Sequence, residues 1–349
     1  MLQNHKMGDY HADKPAFLIT IDTEGDNLWA KPHLISTENA CYLFRFQAFC
    51  EQFSLRPTYL TNWEMANCPV FRAFGRNLLT RNAGEIGMHL HAWNSPPFTP
   101  LTDDDYVHQP YLTEYPEDQL RQKVQVLTEC LEQTFQTQMV SHRAGRWGFN
   151  EVYAKALIDY GYRVDCSVTP HLSWRQYIGS PDGAGGPDFT NYPETAYFLD
   201  PSDISRPGQS TLLEVPLTVT APHFGKLAHI LPPILRMAGS FGHRVARHFF
   251  PLHARMVPNG RNRRLLLDLL LAAIHYQRDY VQLTLHSSEL MPGASPNFLS
   301  PCSIERLYDD LNAVFTFVRD RFVGLTLREY HDRRVASPAP AQSAVGTLR

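Results

Sequence analysis

The sequence has no uninterrupted apolar run approaching the roughly 18 residues that a membrane-spanning helix needs. Met1 to Lys14 also lacks the apolar stretch of a secretory signal. These absences predict a cytoplasmic protein without a membrane span. Its six cysteines, Cys41, Cys50, Cys68, Cys130, Cys166 and Cys302, form no C-x-x-C pair and no zinc-finger spacing. That argues against a thiolate zinc module and predicts reduced, mostly buried thiols. No G-x-G-x-x-G turn follows any predicted strand, which disfavours a dinucleotide-binding fold. An excess of one charge is missing too: 32 Lys and Arg face 35 Asp and Glu, a net charge of −3. No global field therefore recruits nucleic acid.

What is present is a core. With 43% apolar and 19% charged residues in 349, the chain has the composition of a folded protein. Ala16 to Ile21, Arg56 to Thr61, Glu85 to Leu90, Met139 to His142, Val164 to Val168, Leu212 to Leu217 and Val281 to Leu285 read as short strands, each with polar residues near its end. Helical spacing separates them. Leu43, Phe46, Phe49 or Cys50, and Phe53 recur after Ser36 or Thr37, Glu117 to Gln136 carries a long apolar stripe, and a further helix runs through Val152, Ala156 and Tyr160. Ser303 is a candidate cap for a last helix bearing Ile304, Leu307, Leu311, Phe315 and Val318. Repeated strand, loop and helix units predict an α/β barrel-like fold whose reactive groups gather at the C-terminal ends of the strands. One domain over 15–334 is expected, followed by a disordered Ala-, Pro- and Ser-rich tail over 335–349.

Two segments interrupt this rhythm. Tyr177 to Asn191, rich in Gly, Pro and Asp, reads as a surface loop at a rim. The insertion over 222–275 carries Lys226, Arg236, Arg244, Arg247, Arg255, Arg261, Arg263 and Arg264 against the single acid Asp268. Either it lies on an anionic membrane surface or holds phosphates, or it is a set of ordinary helices with a solvated basic face.

Four clusters carry chemistry. Asp22-Thr23-Glu24-Gly25-Asp26 puts three carboxylates directly after a buried strand, where mutual repulsion calls for a cation or a proton. His89 and His91 stand two apart, which on an extended backbone turns both imidazoles to one side. Two imidazoles and a carboxylate with open positions make a hydrolytic site for zinc or a similar divalent ion. Arg143 follows the next strand and is placed to pair with Asp22, while Gly145 and Gly148 let backbone near Arg146 or Trp147 approach a substrate. His286 meets its loop at a strand end and suits a general acid, with Asp165 placed to raise its pKa.

In order and content these clusters resemble the polysaccharide deacetylase family with the NodB-homology domain, carbohydrate esterase family 4. Thr20-Ile21-Asp22-Thr23-Glu24 is similar to its first motif, Glu85 to His91 to its histidine motif, Arg143 to Gly148 to its arginine motif, and Asp165 to Val168 and Leu283 to His286 to the fourth and fifth. The resemblance spans about Ala16 to Leu290, apart from the insertion. It implies a distorted (β/α)7-8 barrel with a basic helical insertion, and it assigns Asp22 as general base, His286 as general acid, Arg143 as partner of the base and Asp165 as partner of the acid. It also implies a divalent metal, with Zn2+ the first choice, held by Glu24, His89 and His91, and substrate contacts from Arg146, Trp147 and Trp93. Two departures stand out: Thr23 occupies the position of a usual metal-binding Asp, leaving Glu24 as substitute and Asp26 in reserve, and Trp93 occupies that of the usual second histidine.

The expected activity is removal of an N-acetyl group from an amino sugar in a glycan or glycolipid precursor, phosphate- or lipid-linked, with peripheral contact to the inner membrane face through 222–275. The alternatives are hydrolysis of a non-sugar amide and a catalytically silent glycan-binding protein of the same fold.

Overall fold

The computed structural model describes residues 14–220 and 254–336. Twelve strands are present among them: β1 (Ala16–Thr23), β2 (Thr58–Thr61), β3 (Glu85–Leu90), β4 (Ser141–Ala144), β5 (Val164–Asp165), β6 (Tyr197–Asp200), β7 (Asp203–Pro207), β8 (Leu213–Glu214), β9 (Val219–Thr220), β10 (Ala254–Arg255), β11 (Tyr280–His286) and β12 (Val323–Leu325). The main sheet runs β11-β1-β2-β3-β4-β5-β8-β6-β7, with β12 beside the start of β1. From β11 to β8 every pairing is parallel; β6 and β7 add antiparallel strands at the far edge.

Both faces of β1 are buried, as a parallel strand covered on both sides requires. Alternation sorts its side chains. Ala16 and Leu18 join Leu60, Val164, Cys166, Leu213, Val215 and Tyr280 in one cluster, the filling of the curled sheet. Phe17, Ile19 and Ile21 point outward and pack with the helices; Phe17, for example, meets Phe315 of helix Pro301–Arg319 edge to face at 6.1 Å.

The two ends of the parallel path meet through single hydrogen bonds rather than a ladder. Tyr280 Oη donates to Pro216 O (2.6 Å), the Gln282 N–H to Thr218 Oγ1 (2.8 Å) and the Thr284 N–H to Met256 O (3.1 Å). The result is a curled, distorted (β/α) half-barrel in which chain flanking β9 and β10 fills the gap between β8 and β11.

Several expected boundaries shift. The last long helix starts at Pro301 with Ser300 as its cap, because Ser300 Oγ accepts from the Ser303 N–H; Ser303 instead donates back to Ser300 O. β4 begins two residues late and includes Arg143, which therefore sits in the strand rather than after it. The end of the chain stays helical through Ala336, so Val335 and Ala336 are not tail; 337–349 lies outside the described residues. Of the basic insertion, Lys226, Arg236, Arg244 and Arg247 lie outside them as well. Its described part holds β10 and then a helix, Arg263–His275, that buries Leu266, Leu269, Leu270 and Ala273, with Arg263 paired to Asp310 at 2.7 Å. Among the described residues no helix is long and apolar enough to cross a membrane.

Candidate active site

Register decides which side chains meet. In parallel pairing Asp22 stands opposite His286 and His89 opposite Arg143, and all four lie at the C-terminal ends of their strands. Asp22 Oδ1 accepts from Arg143 Nη1 at 2.5 Å. The rest of that guanidinium is also satisfied: Nη2 donates to Thr20 Oγ1 (2.8 Å) and Nε to Cys166 O (3.2 Å), with the group fully buried. Burial, the largest single influence, would raise the Asp22 carboxyl, but the charges of Arg143 first, then His89 and His286, together outweigh it and hold the carboxyl below its usual range. The Asp22 carboxylate is therefore ionised, with Oδ2 turned to His286 Nε2 at 3.8 Å.

Glu24, His89 and His91 converge. Glu24 Oε2 lies 3.1 Å from His91 Nε2 and 3.5 Å from His89 Nε2, and the two ring nitrogens are 2.8 Å apart. All three side chains are buried. A tetrahedral ion bound at about 2.0–2.1 Å separates its ligand atoms by about 3.3 Å, so the spacing fits one divalent cation. The chemistry of the set agrees: two imidazole nitrogens and a carboxylate meet at one dry point, where a cation or shared protons must offset their repulsion. Burial would raise the Glu24 carboxyl, but hydrogen bonds with His89 and His91 hold it well below the usual carboxylate range. His89 Nδ1 lies 2.9 Å from Arg143 O, a contact that fixes the ring and leaves Nε2 toward the centre. The Glu24 backbone is pinned as well, its N–H donating to Ser287 Oγ (3.0 Å) and its carbonyl accepting from Ser287 Oγ (2.9 Å) and Asn39 Nδ2 (2.8 Å).

Gly145 is tied to this geometry. A Cβ there would stand 2.6 Å from Leu90 O and 2.8 Å from the His91 ring. Gly145→Ala is expected to push His91 from its position and cost about 1–3 kcal/mol of stability through overpacking; denaturant titration checks the loss.

His286 is flanked by Glu289, whose Oε2 accepts from the His286 N–H (2.9 Å) and lies 3.6 Å from its Nδ1. Burial lowers the imidazole pKa, but Glu289, Glu24 and Asp22 overcome this and push it up to about 10, so the ring holds a proton. Trp29, 53% exposed, meets His286 edge to face at 5.4 Å, its indole N–H donating to Ser288 Oγ (3.3 Å).

Other expected residues are used differently. Asp165 does not reach His286: its Oδ1 is 2.6 Å from His142 Nδ1, and it accepts from Ser167, on the outer side of the sheet where His142 also meets Tyr153 (2.7 Å). Strand alternation is the reason, since Cys166 rather than Asp165 faces inward. The reserve ligand Asp26 is spent on Ser36 Oγ and the Glu38 and Asn39 N–H groups, opening the helical turn Glu38–Tyr42. Trp93 is buried against His91 (ring centroids 4.4 Å), which makes it packing for that imidazole rather than an open surface. Arg146 bridges two rim segments, donating to Gln109 O and Ile178 O and lying over Tyr111. Trp147, half-buried, stacks on Trp174 with centroids at 6.3 Å. Both residues have left-handed backbones (φ 54° and 63°), a conformation non-glycine residues adopt at a cost.

Sequence reasoning missed Glu289, Trp29, Ser287 as an anchor, and Glu64. A carboxylate three residues beyond His286 was the available signal for Glu289; the others depend on loops whose paths no periodicity encodes.

No protein-family model and no curated protein sequence matches the chain. Among solved structures it resembles one from Mycobacterium smegmatis described as a polysaccharide deacetylase, at 14% identity and TM-score 0.50, covering 99% of this chain and 98% of that one. It also resembles one from Parabacteroides distasonis described as a glycoside hydrolase/deacetylase, at 10% identity and TM-score 0.59, covering 95% and 74%. The likeness shows the fold: the chain has the polysaccharide deacetylase, or NodB-homology, architecture.

Proposed function

We propose that the chain is a metal-dependent hydrolase that removes an N-acetyl group from an amino sugar in a glycan or glycolipid precursor. The observation that carries this reading is the convergence of Glu24, His89 and His91, whose ligand atoms all lie within 4.8 Å of one another, beside the Asp22–Arg143 pair and His286. Glu24, His89 and His91 would hold the ion, and an N2O donor set suits Zn2+. Such an ion would supply Lewis-acid polarisation of the acetyl carbonyl and acidify the attacking water.

The protein groups divide the proton work. Asp22 keeps Oδ1 on Arg143 and leaves Oδ2 to take the proton of the attacking water. His286 carries a proton at neutral pH and stands 3.8 Å from that oxygen, placed to give it to the departing amine. Glu289, rather than Asp165, is the carboxylate that orients and charges it. The stacked Trp147 and Trp174, and the exposed Trp29 beside His286, offer apolar faces to a sugar ring. We further take 15–334 as one catalytic unit, with the basic residues of 222–275 meeting phosphate or the cytoplasmic membrane surface.

Zinc content measured together with acetate release from a panel of acetamido sugars tests the proposal. Exhaustive chelation is expected to abolish acetate release, and stoichiometric Zn2+ to restore it. No turnover by the fully zinc-loaded chain on any acetamido sugar that it binds would overturn the assignment.

A further inference from the structure

Sheet order places β2 between β1 and β3, so the loop after β2 lies between the loop carrying Glu24 and the one carrying His91. Asn62 opens that middle loop. Its N–H donates to Thr23 O (3.1 Å), and its side chain caps helix Trp63–Asn67 by accepting from the Met65 N–H (3.4 Å). Glu64, in the first turn, sends its carboxylate sideways in both directions. Oε1 accepts from the Gly25 N–H (2.9 Å) and from Asn62 Nδ2 (2.5 Å); Oε2 accepts from Asn94 Nδ2 (2.9 Å). Gly25 is the residue after Glu24, and Asn94, buried, is the third after His91.

We propose that Glu64 is a positioning residue whose carboxylate clamps the Glu24 loop to the His91 loop and so sets the separation of the three candidate ligands. Among the described residues no Lys, Arg or His forms an ion pair with Glu64, so its oxygens are satisfied by amide donors from the loops that build the site. Close approach supports the clamp: a Cβ on Gly25 would stand 2.2 Å from Ile35 Cγ2 and 3.3 Å from Glu64 Oε1, leaving that turn little room to move. The consequence for metal retention rests on the proposed metal centre, whereas the clamp itself does not.

Two measurements on the full chain separate the two ideas. In the metal-free protein the Gly25 amide is expected to exchange slowly with solvent, and Glu64→Ala should accelerate it about tenfold or more by removing its acceptor. Glu64→Gln should keep the protection, since its amide oxygen still accepts from Gly25 and the Asn94 amide can turn its own oxygen to the new NH2. In competition with a chromogenic chelator, Glu64→Ala should bind zinc about 10- to 100-fold more weakly, the usual loss when an outer partner of a ligand set is removed, with Glu64→Gln close to wild type. If Glu64→Ala does not fold, Asn94→Ala removes one arm only: zinc should weaken while Gly25 stays protected. Unchanged Gly25 exchange in Glu64→Ala, or undiminished zinc affinity, overturns the clamp. Failure of the wild-type chain to bind zinc overturns the metal centre instead and leaves the exchange rates to decide the clamp.

Discussion

Asp22→Asn is expected to lower kcat/KM for an acetamido sugar about 10²- to 10⁴-fold, the range that a positioned general base contributes. The asparagine is nearly isosteric, and its amide oxygen still accepts from Arg143, so the difference lies in the lost charge and the lost proton acceptor at Oδ2. The loss should fall on kcat, because Oδ2 faces His286 and the reaction space rather than a binding surface. Zinc stoichiometry should survive, since Glu24, His89 and His91 are untouched. Steady-state kinetics with zinc content on the same preparation makes the check. Retention of kcat/KM within tenfold would remove Asp22 from the proton transfer and with it the assigned mechanism. The substitution also leaves the Arg143 charge buried without its counterion, so the assay belongs at a temperature where circular dichroism shows the variant folded.

Much of this site was legible in the sequence, for a definite reason. Strand alternation is a local rule, and it marked Asp22, His89, His91, Arg143 and His286 as residues of strand ends; the register that brings them together is long-range. The same rule, applied to where a strand begins, explains the largest error. β5 is only two residues long, and the polar residues that follow it gave no sign of which face Asp165 takes; inward-facing Cys166 settles that, and Asp165 goes to His142 instead. Glu289 replaces it beside His286 because the chain turns sharply there through a short helical turn, Ser287–Leu290, which returns a residue three positions on to the His286 N–H. Asp26 shows a second limit. Three carboxylates in five residues look equivalent in a string, yet one reaches Arg143, one the histidines and one the cap of the next turn. Their division depends on long-range partners: Arg143 is 121 residues from Asp22 along the chain.

Arg143→Leu is expected to produce the largest loss of stability, about 3–5 kcal/mol, as removal of one partner from a buried ion pair typically does. A fall in melting temperature of about 4–7 °C follows for a chain of this size. In the wild-type protein burial raises the Asp22 carboxyl, but Arg143, His89 and His286 together overcome it, Arg143 contributing most, so the folded-state pKa is depressed. Stability from that pair is present above the ordinary carboxylate pKa of about 3.9 and is lost as the pH falls through the folded value. Without the guanidinium only His89 and His286 oppose burial, and the carboxyl is expected to move above its unfolded pKa. The sign then reverses: the folded state binds the extra proton, and stability declines as the pH rises through about 4 toward neutrality. The gap between wild type and variant should therefore widen from about pH 4 to about pH 7 in the metal-free protein. Urea unfolding at the two pH values measures it. An equal gap at both would mean that Arg143 acts through packing and its contacts to Thr20 and Cys166 rather than through the Asp22 charge, and the carboxylate would then need another source for the ionisation its proposed role as base requires.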